Sequence, residues 1–291
     1  MIKIRGFVTS SQPETGFMNP RVQVIFFLKL RIATVFYYNS FGINFNLMAS
    51  VSIIIPVLNE ATCLERTLRQ LSILNPPAWE ILVVDGGSQD DTVAIALTST
   101  TRVIVSSMPG RSVQMNLGAK TATGEILCFL HADTLVPSDI VTVIQKTLSD
   151  TEIVGGGFIS LMAGSQQTRW GFSLHNYLKT YYAPLLFRPH LFLKGLRLLF
   201  GDQVIFCRRT DFWECDGFDA ALPIMEEADL CLKLVRRGGK IKLVHRVVES
   251  SDRRVAHWGE LKATAIYLAI GFLWGFGVSA KYLKQFYEDI R

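Results

Sequence analysis

Cysteine is scarce and unpaired in this chain: five residues, Cys63, Cys128, Cys207, Cys215 and Cys231, with no C-x-x-C spacing and no histidine pair beside them. That excludes a disulfide-stapled framework and a sequence-legible zinc site, and it suits a reducing, cytoplasmic setting. Internal repeats and low-complexity tracts are also missing, which excludes solenoids and linker arrays. No clean signal peptide opens the chain, because Lys29 and Arg31 interrupt the first apolar stretch and no small-x-small cleavage site follows. A clear membrane span is lacking as well. The nearest approach, "ATAIYLAIGFLWGFGVSA" at 263–280, holds three glycines and falls short of the roughly 20 apolar residues a spanning helix needs.

What is present is 291 residues with a net charge of +5, enough chain for one large α/β domain with a substantial core. The positive balance suits a nucleic acid, an anionic membrane surface or a phosphorylated substrate. Nucleic acid is disfavoured, since the basic residues are interleaved with long apolar runs rather than gathered on a reading helix. Three zones are expected. Residues 1–47 form a poorly structured extension, with Met48 as the expected natural start and a membrane-associating leader as the rival reading. Residues 48–255 form the main domain, and 256–291 an apolar and basic helical tail.

From Val51 the pattern is βαβα. "VSIIIPV" is a buried strand, Leu64, Leu68 and Leu71 follow at helical spacing, and "WEILVVDGG", "TRVIVSS" and "GEILCFLHAD" are further strands separated by helical periods. Such alternation implies a parallel sheet with right-handed crossovers. Ligands of open parallel sheets lie beyond the carboxyl ends of the strands, which singles out Asn59 and Glu60, then Asp85, Gly86 and Gly87, then His131 and Asp133.

A carboxylate at the end of a buried strand needs a cation beside it, and a hard divalent ion with oxygen ligands supplies one, so Asp133 is expected to anchor a metal. His131, two residues away on the same strand face, would ligate the metal, touch a ribose or orient the aspartate. A turn-forming aspartate ahead of Pro137 is the plain alternative for Asp133. Asp85 precedes two glycines that let a backbone approach closely, with a helix N-terminus following. Arg111 opens a helix with Asn116 five residues on, and Glu226, Glu227 and Asp229 crowd a helix start, where the helix dipole alone already favours acid.

Taken together, "SIIIPVLNE", "VVDGGSQDDT", "FLHAD" and "MEEADLCLKL" resemble, in order and spacing from about 51 to 250, the family-2 glycosyltransferases of the GT-A fold. The finer pattern "GRSVQMNLGA…LHADT…GDQVIFCRR…GFD…PIMEEADL" is similar to a radical-SAM/selenodomain-associated (arsenosugar-type) subgroup, also grouped with diaponeurosporenoate glycosyltransferases. Two departures stand out: His131 replaces the first Asp of D-x-D, and Glu226-Glu227 replaces the usual Glu-Asp.

The resemblance implies a Rossmann-like, mainly parallel sheet flanked by helices, with apolar helices at the C-terminus. It implies an inverting transferase moving a sugar from a nucleotide-diphosphate sugar to a hydroxyl or carboxyl acceptor, small or lipid-like, with carotenoid biosynthesis as one setting. Mg2+ or Mn2+ on Asp133, with His131, would bridge the phosphates, and Glu227, with Glu226 as alternative, would be the base. Asp85 would recognise the base or ribose, with Pro56 and Val57 lining the nucleoside pocket and Arg111 beside it. Asp202 would position sugar or acceptor, and Arg253 and Arg254 would reach the leaving phosphates. The segment "YYAPLLFRPHLFLKGLRLLF" mixes apolar bulk with Arg188, Lys194 and Arg197. It reads as an element lying at an anionic interface, hence peripheral attachment at the inner face of the cell membrane, or else as a lid packed on the protein. The rival function is a non-catalytic nucleotide-sugar-binding protein whose metal motif has decayed.

Overall fold

The computed structural model describes residues 48–164 and 167–287; the expected extension, 1–47, lies outside the described residues. One sheet of eight strands organises the rest, in the order β3-β2-β1-β4-β7-β6-β8-β5. β1 (Val51–Val57), β2 (Glu80–Asp85), β3 (Arg102–Val105) and β4 (Ile126–Phe129) are mutually parallel, as the βαβα pattern predicts. Beyond β4 the sheet becomes mixed. β7 (Ile205–Arg208) runs antiparallel to both β4 and β6 (Ile153–Ala163), β6 is parallel to β8 (Lys240–Ser251), and the short β5 (Thr134–Leu135) is antiparallel to β8. The mainly parallel expectation therefore describes one half of the sheet.

Strand β1 shows why the first half forms. It is buried on both faces, so its β-branched residues Val51, Ile53, Ile54, Ile55 and Val57 do not alternate with exposed polar ones. Ile53 and Ile55 face a layer containing Leu64 and Leu68 of α1 (Ala61–Leu71) and Ile140 and Ile144 of α4 (Ile140–Leu148). Ile54 faces the other layer, with Met115 and Ala119 of α3 (Arg111–Thr121). Each such isoleucine contributes about 1.5–3 kcal/mol by leaving water. In β6 the run Gly155–Gly157 allows a close crossing: a Cβ on Gly156 would lie 2.6 Å from the Lys242 carbonyl oxygen and 2.7 Å from the Phe206 ring.

The remaining helices are α2 (Thr92–Leu97), α5 (Trp170–Phe187), α6 (Pro189–Leu193), α7 (Arg209–Glu214), α8 (Glu226–Arg236), α9 (Arg253–Trp258), α10 (Glu260–Gly275) and α11 (Ala280–Leu283). The segment expected at an interface divides. Leu191, Leu196, Leu198 and Leu199 are buried in the main core, as a packed lid requires, while Leu185, Leu186 and Leu193 are exposed. The apolar tail becomes α10, whose Ile270 packs with Leu283 of α11. Among the described residues no helix is long and apolar enough to cross a membrane.

Candidate active site

A cavity of about 580 Å³ opens where β1 and β4 end and the helices α3, α8 and α9 begin. Gln114 fixes its floor. From inside α3 its amide nitrogen donates to the carbonyl oxygens of Val57 and Val84, both at 2.7 Å, tying the helix to the ends of β1 and β2. That anchorage holds Arg111, three residues earlier on the helix, against the cavity.

The first charged group in the cavity joins three segments distant in sequence. Nη2 of Arg253, at the start of α9, donates to Glu60 Oε2 at 2.8 Å and to Asp133 Oδ2 at 3.0 Å. Burial works against the Arg253 charge, but these hydrogen bonds and the charges of Glu60 and Asp133 prevail and raise its pKa. Its Nη1 is buried without a protein partner, and so is free to meet an oxyanion in the cavity. The Asp133 carboxylate has an Oδ1 whose protein contact is the Thr134 hydroxyl at 3.5 Å.

The second group is built on α8. Met225 enters the helix with φ 68°, a left-handed turn that drives Glu226 and Glu227 inward, 0% and 5% exposed. Arg111 Nη1 lies 3.5 Å from Glu226 Oε1 and 3.6 Å from Glu227 Oε1. His131 Nε2 lies 3.8 Å from Glu227 Oε1, ion-pair range rather than a hydrogen bond. Burial and the neighbouring Glu227 push the Glu226 carboxyl up to about 7, against the pull of Arg111. Burial also acts on Glu227, but the His131 imidazole and the Arg111 guanidinium outweigh it and hold that carboxyl below the ordinary range. The pair thus divides into one carboxyl that holds its proton up to about pH 7 and one that ionises below the ordinary range.

Gly201 makes this approach possible. A Cβ there would stand 2.3 Å from the His131 ring and 2.6 Å from Glu227 Oε1. Its neighbour Asp202, in the same 3₁₀ turn, accepts from Asn176 Nδ2 of α5 at 3.0 Å. Arg254 donates to the Tyr267 hydroxyl at 3.1 Å and stacks 4.3 Å from the Tyr287 ring.

Of the residues singled out by sequence, Pro56, Val57, Glu60, Arg111, His131, Asp133, Asp202, Glu226, Glu227, Arg253 and Arg254 line this one cavity. Others face elsewhere. Asp85 is 3% exposed and its carboxylate accepts from the backbone N–H groups of Gly87 and Ser88 and from the Ser88 hydroxyl, so it holds its own loop. Asn59 interlocks with that loop: its N–H donates to Ser88 Oγ and its side chain accepts from Gln89 N. Gly86 packs under Gln114, and Gly87, at φ 98°, supplies the turn. Asn116 clasps the backbone N–H and carbonyl of Phe218, a purely structural use.

Sequence reading missed Asn176, Lys179 and Tyr267, which also line the cavity. The signal for the first two was a polar stripe at helical spacing, Ser173, Asn176, Lys179 and Thr180, along the buried face of α5.

A divalent metal fits the first group in donor chemistry. Mg2+ or Mn2+ is held by one or two carboxylates and completes its shell with phosphate oxygens and water, and Asp133 offers a carboxylate at the rim of a cavity with room for both. No three-residue His, Cys, Asp or Glu cage that could hold a metal exists among the described residues, so the substrate would have to supply most ligands. His131, turned to Glu227, is placed to serve the acid pair rather than a metal.

Residues 52–211 match the family described as Glycosyl transferase family 2, and the chain belongs to that family. Over 116 residues it is 34% identical to "Glycosyltransferase AglE" of Haloferax volcanii, a match covering 36% of this chain and 38% of that one. Over 127 residues it is 32% identical to a "PGL/p-HBAD biosynthesis glycosyltransferase" of Mycobacterium bovis, covering 41% and 50%. The chain thus spans half or less of the length of these curated relatives. In fold it is similar to glucosyl-3-phosphoglycerate synthase from Mycobacterium tuberculosis, solved with Mn2+, UDP and glucosyl-3-phosphoglycerate: TM-score 0.58, 20% identity, 79% of this chain and 81% of that one. It is also similar to a mannosyltransferase from Pyrobaculum calidifontis in complex with GDP-Man and Mn2+: TM-score 0.62, 17% identity, 84% and 65%.

Proposed function

We propose that this protein is an inverting glycosyltransferase that moves a sugar from a nucleotide-diphosphate sugar to a hydroxyl-bearing acceptor. The observation that carries the reading is the convergence of two charged groups, Asp133–Arg253–Glu60 and Arg111–Glu226–Glu227–His131, on one cavity at the strand ends.

In the proposed reaction the acceptor oxygen attacks the anomeric carbon, its proton passes to Glu227, and the bond from that carbon to the phosphate oxygen breaks with the electron pair leaving on the diphosphate. Glu227 suits the base because it is the ionised member of the pair, and a general base is typically worth about 10² to 10⁴ in rate. Arg111, 3.6 Å from Glu227 and 3.5 Å from Glu226, holds the ionised carboxylate in place. The unpartnered Nη1 of Arg253 suits the leaving diphosphate. Asp133 would hold Mg2+ or Mn2+, which when bound would neutralise diphosphate charge. Asp202 would position sugar or acceptor. Asp85 enters this account by ordering the loop beside the nucleoside pocket.

The motif resemblance supports the arsenosugar-type or diaponeurosporenoate subgroup and a small or lipid-like acceptor. Peripheral attachment to an anionic membrane is supported by exposed Leu186, Leu193, Phe272 and Phe276, with the exposed Lys194 next to Leu193 in sequence, and vesicle flotation unaffected by lipid charge or salt would count against it. The main domain proposed spans 48–255, and the apolar and basic tail 256–291.

The central test uses Glu227→Gln. Binding of UDP or GDP with Mn2+, read by thermal shift, should persist, while turnover of the matching sugar nucleotide falls about 10² to 10⁴-fold. Undiminished turnover would remove Glu227 from the mechanism. If wild type shows no metal-stimulated nucleotide binding, the transferase reading itself is lost.

A further inference from the structure

Lys179 lies on the buried face of α5 and lines both the large cavity and an adjoining apolar pocket of about 80 Å³. It is 7% exposed, and among the described residues its ammonium meets no carboxylate at ion-pair distance. Its close neighbours are rings: Nζ stands 3.7 Å from the centroid of Phe200 and 5.9 Å from that of Tyr267. Aromatic faces attract a cation, but they do not accept the hydrogen bonds that three ammonium protons seek, and a buried charge without an acceptor is costly. Burial pushes the lysine down to about 8, with the Asp202 charge opposing it. Such a side chain wants an anion that the protein itself does not supply.

Two uses of Lys179 fit poorly. As counter-ion to Asp202 it makes no ion pair, and Asn176 already donates to that carboxylate at 3.0 Å. As a ligand of the donor diphosphate it shares no acidic partner with Arg253: Asp202 acts on Lys179, whereas Glu60 and Asp133 act on Arg253. A third use follows from three consecutive residues. Phe200 sits under the ammonium, Gly201 lies so near the Glu227 carboxylate that a Cβ on it would stand 2.6 Å from Oε1, and Asp202 supplies the nearby charge. An anion held by Lys179 would therefore sit one short turn from the base, against the apolar pocket, where low polarity strengthens the attraction.

We propose that Lys179 anchors an acceptor subsite for a compact oxyanion, a carboxylate or a phosphate, borne by the molecule whose hydroxyl Glu227 deprotonates. The proposal rests on the glycosyltransferase reading for the meaning of the site, but the anion site itself can be measured alone.

The test is calorimetric titration of the full chain at constant ionic strength with sodium acetate and with inorganic phosphate, glycerol serving as the neutral control. UDP or GDP with Mn2+ is titrated separately. One of the anions should bind wild type, and which one does identifies the group. Nucleoside diphosphate should leave that binding intact, Lys179→Met should weaken it roughly thirtyfold, and Lys179→Arg should restore part of it. Three results would overturn the subsite: neither anion binds wild type, Lys179→Met binds the anion unchanged, or nucleoside diphosphate displaces it competitively. Absence of nucleotide binding in wild type would instead strike the glycosyltransferase reading, so the two failures are separable.

Discussion

Replacing Glu226 with glutamine should stabilise the protein in alkali and do little in acid. Glu226 is wholly buried, its two carboxylate oxygens have no hydrogen-bond partner, and its pKa is raised from 4.5 to about 7. The unfolded chain releases this proton near the ordinary glutamate value, whereas the folded chain retains it until about pH 7. Between those limits the folded state binds more protons than the unfolded one, so stability falls as pH rises through the window and levels off above it. The displacement of roughly 2.5 pH units corresponds to about 3 kcal/mol at pH 8 and under about 1 kcal/mol at pH 5. Glutamine has the shape of the protonated acid and no charge to lose. Glu226→Gln should therefore unfold in urea at a midpoint about 1 M higher than wild type at pH 8, with near coincidence at pH 5. A variant equally or less stable than wild type at pH 8 would refute the division of the acid pair into a proton holder and an ionised base.

Other outcomes follow from particular contacts. Asp133→Ala should leave folding cooperative but abolish the stabilisation by Mn2+ of nucleoside diphosphate binding, measured by thermal shift with and without the ion; an unchanged manganese effect would remove Asp133 as the anchor. Gly201→Ala should cut turnover and cost about 1–3 kcal/mol of stability in denaturant unfolding, because the added methyl would lie 2.3 Å from the His131 ring. Gln114→Leu removes the side-chain donor to the Val57 and Val84 carbonyls, of which Val57 keeps the Gly86 N–H at 2.9 Å, and should cost about 1–3 kcal/mol, with binding of nucleoside diphosphate weakened because Arg111 loses its platform.

Much of the chain could be read before its structure was known. The buried run at β1, the leucines of α1 and the strand-ending motifs are local patterns, and periods of two and 3.6 residues report on the faces they present. The four parallel strands followed directly. The mixed half did not, because β6 pairs in parallel with β8 through a register that no short-range pattern encodes, and Gly155–Gly157 announces a close approach without saying to what. Asp85 shows the converse. Its place at a strand end was legible, but whether its carboxylate faced a ligand or its own loop depended on three local donors.

By itself the sequence determined the family, the parallel half of the sheet and the positions along the chain where reactive side chains gather, because each of these rests on spacing within a few turns or strands. Tertiary structure decided which of them meet. Arg253 joins Glu60 across 193 residues and Asp133 across 120. Lys179 becomes a candidate site because α5 brings it over the Phe200 ring. Glu226 and Glu227 are adjacent and chemically alike, and they part in acidity because burial and the Glu227 charge raise Glu226, whereas the His131 imidazole and the Arg111 guanidinium outweigh burial at Glu227. Proximity of that kind depends on how distant segments pack, and packing is settled by the whole core at once.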